Sequence, residues 1–197
     1  KIIKELSNFK NDNIKILPGP CMGRCQVAPT VCVGKNYIDN ATSDAVTVAI
    51  KSNKFESTIP NYIKYKEYTL NGGYITSKKV KDKKISNTDI LKILNDSGLK
   101  GKGGAGFPTG KKWEIVSNFE GIKYIAINGD EGEPGTFKDR YYLESDPHRF
   151  LEGLLIASYF INAHKVYIYM RDEYPAVIDI LKKEISILEN EKIIPNN

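Results

Sequence analysis

Four of the six residues from 101 to 106 are glycine: Gly101, Gly103, Gly104 and Gly106. Glycine loses more conformational freedom on folding than any other residue, so this stretch cannot be the interior of a helix or strand and must be a loop. What precedes it decides what kind of loop. Ser86-x-x-Asp89 reads as a helix start, Ile90, Ile93 and Leu94 as the apolar stripe of that helix, and Gly98 as its stop. A helix therefore leads into the glycines, whereas the dinucleotide-binding G-x-G-x-x-G turn follows a strand, so the literal match of 101–106 to that pattern carries little weight. A Walker A loop fails too, because it would need glycine at Ala105 and serine or threonine at Lys112.

Such a loop can still bring backbone against a flat or phosphorylated ligand without β-carbon clashes, and its N–H groups can form a nest for an anion. Lys111 and Lys112 add positive charge beside it. Phe107 can present a ring to a planar base, a contact worth ~1 kcal/mol. The plainer alternative is a surface turn, which the adjacent lysines and the aromatic pair Phe107 and Trp113 argue against.

A second element, Asn128-Gly129-Asp130-Glu131-Gly132-Glu133-Pro134-Gly135-Thr136, directly follows a strand expected over 124–127. Open α/β sheets bind ligands at this carboxyl end of their strands. Carboxylates there can accept from sugar hydroxyls, and the Asn128 amide can both donate to and accept from the edge of a heterocycle. The calcium-loop spacing of an EF-hand is not met, leaving a solvated turn as the other reading.

The flanking pattern is that of an α/β protein. Residues 112–117 read as a helix. Asp146 caps a helix that has Pro147 at its first position and runs to about 161, 165–170 reads as a buried strand, and a last helix from Pro175 carries Val177, Ile180, Leu181, Ile185 and Leu188. Strands alternating with helices predict a three-layer, Rossmann-like α/β domain over 86–197. Residues 1–53 read as a small α/β unit. It has a strand over 13–17, a turn at Pro18-Gly19-Pro20, a hairpin of 30–33 and 37–38 about Gly34-Lys35-Asn36, and a helix capped by Thr42. Residues 54–85, weakly periodic apart from a turn at Asn71-Gly72-Gly73, read as a connector.

The two motifs together resemble a known family. Gly101-Lys102-Gly103-Gly104-Ala105-Gly106-Phe107-Pro108-Thr109-Gly110-Lys111-Lys112-Trp113, within 97–113, and the acidic motif, within 128–140, are similar to the FMN subunit of respiratory complex I. They are equally similar to the diaphorase subunits of NAD-dependent formate dehydrogenases and NAD-reducing hydrogenases. The resemblance implies hydride transfer between NAD(H) and FMN, followed by one-electron transfer to iron–sulfur clusters. It implies that Gly101, Gly103, Lys112, Asn128, Asp130 and Glu131 hold FMN, with Gly104 and Gly106 completing the loop. Phe107 would stack on the adenine of NADH and Glu133 would contact the dinucleotide. Lys102 stands where the family has arginine, keeping the charge and losing the planar fork. A flavin-closing loop and a [4Fe–4S] segment are expected downstream of Asn197.

Cys21 and Cys25 form a C-x3-C pair, and Cys32 is the remaining cysteine. The spacing is not that of a C-x2-C redox dithiol. It resembles the second half of a thioredoxin-like [2Fe–2S] ferredoxin module, which makes Cys21 and Cys25 candidate cluster ligands and 1–53 either a fragment of a cluster-binding module or a module whose cluster has been lost. A ferredoxin-like segment joined to a flavin domain favours the formate-dehydrogenase or hydrogenase type over complex I. The implied partners are other subunits of a redox complex, among them a [2Fe–2S] ferredoxin-type subunit. A non-catalytic interaction fragment is the competing class.

The remaining features exclude more than they assign. The net charge of +5 comes from scattered lysines, with four arginines among 29 basic residues, and predicts no nucleic-acid surface. No apolar run reaches the ~20 residues of a membrane span, and the start Lys1-Ile2-Ile3-Lys4-Glu5 has no signal-peptide core, which points to the cytoplasm. Because the first residue is lysine, the chain is expected to lack its natural start. His148 and His164 read as packed or solvated.

Overall fold

The structure is a computed structural model describing residues 2–7 and 14–195. It is α/β, and its contacts divide it into two compact units. One comprises 1–62, 129–145 and 170–197, and the other 63–128 and 146–169. The chain passes from one unit to the other within strand β3 (Lys123–Gly129) and within β4 (Ala163–Met170), which pair as a two-stranded sheet.

In the first unit, α1 (Ile2–Leu6) and α2 (Ser43–Lys51) close on the antiparallel hairpin β1 (Val31–Val33) and β2 (Asn36–Ile38). Leu6, Ala41 and Val46 form the buried centre, with Ile16, Val31, Val33 and Ile38 around it. Thr42 caps α2 as expected, its hydroxyl accepting the Ala45 N–H at 3.2 Å. Asn13 of the expected first strand lies outside the described residues, and 14–17 form no strand. Their burial alternates as a strand's would, but only Ile14 makes a bridge, and the pairing does not extend along 15–17. The unit also holds α7 (Lys138–Ser145) and α9 (Pro175–Asn190), which pack on each other. The stripe Val177, Ile180, Leu181 and Leu188 of α9 is buried, as its 3.6-residue spacing requires.

The second unit corrects the connector reading. Residues 65–81 contain two helices, α3 (Tyr65–Leu70) and α4 (Ile75–Lys81). The start of α4 is satisfied from far along the chain. The buried Glu152 carboxylate of α8 (Pro147–Ile161) accepts the Tyr74 N–H at 2.9 Å and the Ser77 N–H at 3.1 Å, and takes the Tyr68 hydroxyl at 2.7 Å. No local cap residue marks that helix, so a local reading missed it. His148, fully buried, faces Tyr74 with Nδ1 2.7 Å from the Tyr74 hydroxyl and packs against Tyr65 and Tyr68.

Helix α5 (Asn87–Asp96) has the expected capping box of Ser86 and Asp89 and ends at Gly98, whose φ is +63°. Its inner face is Ile90 with Leu91 and Leu94, and the expected Ile93 is 61% exposed. Helix α6 spans Thr109–Ser117, three residues more than expected at its start. Val80, Ile90, Phe160 and Ile161 are the core here, with Trp113 of α6, Ile125 of β3 and Ala163 of β4 around them. The strand expected to be buried on both faces is not. Tyr167 and Tyr169 of β4 are exposed beside Tyr124 of β3, because helices cover only the opposite face of the pair. Among the described residues no helix is long and apolar enough to cross a membrane.

Candidate functional site

The glycine loop belongs to the second unit and is closed at its base like a short hairpin. Lys100 and Pro108 form an antiparallel bridge, Gly101 N–H donates to the Phe107 carbonyl at 2.9 Å, and Thr109 N–H donates to the Leu99 carbonyl at 2.9 Å. The loop therefore projects from a fixed neck between α5 and α6. Inside it, Gly104 and Gly106 have φ of +102° and +62°, conformations that side chains resist. Gly103 is different. Its φ lies outside the left-handed region, and a β-carbon built on it meets nothing within 4 Å. Neither backbone conformation nor internal packing requires glycine there, so what it leaves is room for something from outside. Gly110 by contrast is a packing glycine, since a β-carbon would come within 2.3 Å of the Asn95 side chain on α5.

Charge around the loop is positive. Helix α6 begins at Pro108 without a side-chain cap, which leaves N–H donors and the positive end of the helix dipole open. Lys111 pairs with Glu114 at 3.1 Å, while Lys102 and Lys112 are exposed and make no ion pair among the described residues. Phe107 stands 49% exposed at the neck of the loop. An open glycine, an uncapped helix start and unneutralised lysines fit a planar group bearing a phosphate.

Asn128 lies near the end of β3 and is exposed. The acidic motif after it belongs to the first unit and is far from a loose loop. Pro134 and Gly135 (φ +82°) occupy the central positions of a turn closed by Thr136 N–H donating to the Glu133 carbonyl at 3.2 Å, the residues a type II turn uses. Asp130, Gly132 and Glu133 are exposed, while Glu131 is buried. Its carboxylate accepts the Asp139 and Arg140 N–H groups at 3.0 and 3.3 Å, capping α7, and the Tyr174 hydroxyl at 3.2 Å. Burial first, with the Glu131 charge behind it, pushes the Tyr174 phenol up to about 12 and keeps it a donor.

The cysteine segment lies against this framework. Cys25, exposed at the start of a 3-10 turn (Cys25–Val27), accepts the Gly135 N–H at 3.2 Å on its sulfur. Arg24 pairs with Asp39 at 2.8 Å and lies over the Tyr37 ring. Cys32 is a strand residue whose thiol donates to the Gly34 carbonyl, and burial pushes its pKa up. All three cysteines are free, and no group of three metal-ligating side chains occurs among the described residues.

Sequence reasoning missed α7 and the residues that hold the acidic motif, Arg140, Arg171 and Tyr174. A signal existed. The chain has four arginines, and two of them are buried here, one directly after β4, at the strand end already singled out for β3.

A projecting glycine loop beside open donors in one unit, and an acidic turn at a strand's carboxyl end in the other, are each features that α/β proteins use to bind nucleotide-like cofactors. Comparison with known proteins narrows the class: residues 94–195, just over half of the chain, match the model of the Nuo51 FMN-binding domain, and the chain belongs to that family. Over 131 residues it is 44% identical to a subunit of the NADH-quinone oxidoreductase of Aquifex aeolicus, covering 66% of this chain and 30% of the relative. The corresponding Escherichia coli protein is 40% identical over 122 residues, or 61% of this chain and 27% of the relative. The crystal structure of an NAD+-reducing [NiFe]-hydrogenase in the H2-reduced state is similar with a TM-score of 0.68 and 26% identity, over 86% of this chain and 32% of that one. The chain thus spans about 30% of the length of the curated relatives it matches.

Proposed function

We propose that the chain is part of an NAD(H)-linked flavoprotein subunit of a multi-subunit redox complex, one that exchanges hydride between NAD(H) and FMN and passes electrons singly to iron–sulfur clusters. The observation that carries this reading is Gly103, a glycine with open space around it and no internal reason to be glycine, in a chain of the FMN-binding family. When bound, FMN supplies the exchange of two electrons with nicotinamide and of one with a cluster. The residues of the chain position and bind, and none has to act as a general acid or base. Gly101, Gly103, Gly104 and Gly106 admit the flavin to the backbone. Lys102, Lys112 and the open start of α6 offset the phosphate charge. Asn128 meets the ring edge, Asp130 accepts from ribityl hydroxyls, and Glu131 shapes the turn from inside. Phe107 stacks on the adenine of the dinucleotide, and Glu133 accepts from its ribose.

Within this class we favour the type found in NAD-reducing hydrogenases and NAD-dependent formate dehydrogenases. What supports it is the reach of the hydrogenase likeness, 86% of the chain, into residues N-terminal to the flavin-binding match. The 44% identity to a quinone oxidoreductase subunit supports the complex I type as the second reading. In either case a ferredoxin-type [2Fe–2S] subunit is the expected neighbour and the cytoplasm the expected compartment. Cys21 and Cys25 are two of the four thiolates a [2Fe–2S] cluster takes.

The test is made on the subunit purified from its native source. Flavin released on denaturation should be FMN, one per chain, and anaerobic NADH should bleach the bound flavin. A preparation that purifies without flavin and binds none on addition overturns the reading.

A further inference from the structure

The acidic turn is held by residues outside both motifs, all within one compact unit. Arg171, 8% exposed, donates from one terminal nitrogen to the Glu131 carbonyl at 2.6 Å, from the other to the Cys21 carbonyl, and from Nε to Glu173 at 3.1 Å. Tyr174 binds the Glu131 carboxylate, and Arg140 donates to the Gly23 carbonyl at 3.2 Å. Gly23 has φ +63°, and a β-carbon there would come within 2.4 Å of the Tyr174 hydroxyl, so glycine is what lets the cysteine segment lie against that ring. The Cys25 sulfur takes the N–H of Gly135 at the far side of the turn. The turn is thus fixed at Glu131 and at Gly135, and what stands outward between them is Gly132, Glu133 and Pro134.

We propose that Arg171 is a positioning residue for the dinucleotide: by bridging the Glu131 and Cys21 carbonyls it braces the acidic turn against the C-x3-C segment and fixes where Glu133 stands. This rests on the reading of Glu133 as a dinucleotide contact. The chemistry requires arginine. A guanidinium offers donors on separate nitrogens in one rigid plane and serves two carbonyls and a carboxylate at once, whereas a lysine ammonium is a point charge on a flexible stem. Unbraced, the turn keeps its sequence and its exposed carboxylate but loses its place, and a misplaced binding group weakens ground-state binding before it slows the chemistry.

The experiment uses the complete subunit in its native complex with Arg171→Lys and Arg171→Met. A glutamate-specific protease reads the position of the turn without any cofactor, and steady-state kinetics read its effect. Glu133 precedes a proline and is no cleavage site, so the bond that reports is Glu131–Gly132: with the Glu131 side chain buried and its carbonyl held by Arg171, the wild type should resist cleavage after Glu131. Arg171→Met should be cut there, and should show KM for NADH raised about tenfold with kcat and flavin content unchanged. Arg171→Lys should fall between them on both readouts. If the wild type oxidises NADH while both variants keep its KM and its resistance to cleavage, the bracing role is refuted. Loss of kcat and flavin in step with melting temperature would refute it as well, by marking Arg171 as merely structural. If the wild type neither holds FMN nor oxidises NADH, but the variants are still cleaved after Glu131, the failure lies with the functional reading and not with the brace.

Discussion

Replacing Gly103 by alanine should separate binding from stability, because the two costs have different origins in the loop. A β-carbon at Gly103 meets nothing within 4 Å and the backbone lies outside the left-handed region, so the substitution stores no strain. By restricting the unfolded chain it should stabilise the fold by about 0.4–1 kcal/mol. The space it fills is the space assigned to the flavin. A methyl group forced into a packed contact costs about 1–3 kcal/mol, which corresponds to roughly a five- to 150-fold rise in the FMN dissociation constant. Gly104→Ala is the control with the opposite signature. At φ +102° an alanine is strained, and the fold should lose about 1–3 kcal/mol. Flavin-fluorescence quenching on the deflavinated subunit gives the affinities and thermal melting gives the stabilities. If Gly103→Ala binds FMN as tightly as the wild type, the loop is not where the flavin sits, and the argument from its unexplained glycine fails.

Glu152→Ala strips α4 of the acceptor for two N–H groups and leaves the Tyr68 hydroxyl unpaired, so it should destabilise the protein by about 3 kcal/mol in a denaturant melt. The Tyr174 phenol is raised in the folded state, so its stabilising contribution is complete below the ordinary tyrosine pKa and is lost as pH rises from there through about 12. Difference absorbance of wild type minus Tyr174→Phe should show that late titration, and a phenol ionising with the exposed tyrosines would contradict the buried contact with Glu131. Phe107→Ala and Glu133→Ala should each raise KM for NADH about tenfold while flavin content stays near one per chain, whereas Asn128→Ala should release flavin. Anaerobic iron–sulfur reconstitution of the chain alone should give no stoichiometric EPR signal on reduction, since Cys32 is a strand thiol and only Cys21 and Cys25 remain for a cluster.

Local signals were legible, and contacts made at long range were not. The capping box at Ser86, the Thr42 and Asp146 caps and the Gly98 stop are chemistry among neighbours three or four residues apart, and each stands where the residues put it. Helix α4 escaped because its first N–H groups are satisfied by Glu152, a carboxylate that no window around the helix connects with it, and α7 because its cap, Glu131, comes from the preceding acidic turn and not from the position just before the helix. Ile93 misled because periodicity marks a face without saying how wide the covered stripe will be. At the site, the glycines and exposed carboxylates announced themselves by composition. The buried arginines that brace the acidic turn did not, since an arginine read from sequence is by default a surface residue.

The most direct test of the central claim is the change in backbone hydrogen exchange when FMN is added to the deflavinated native subunit. Protection should appear at 101–107 and the start of α6 and at 128–133, with further protection at Phe107 and Glu133 only when NADH follows. Protection confined to other regions, or none at concentrations that restore the flavin, would contradict the assignment of these two loops to the cofactor.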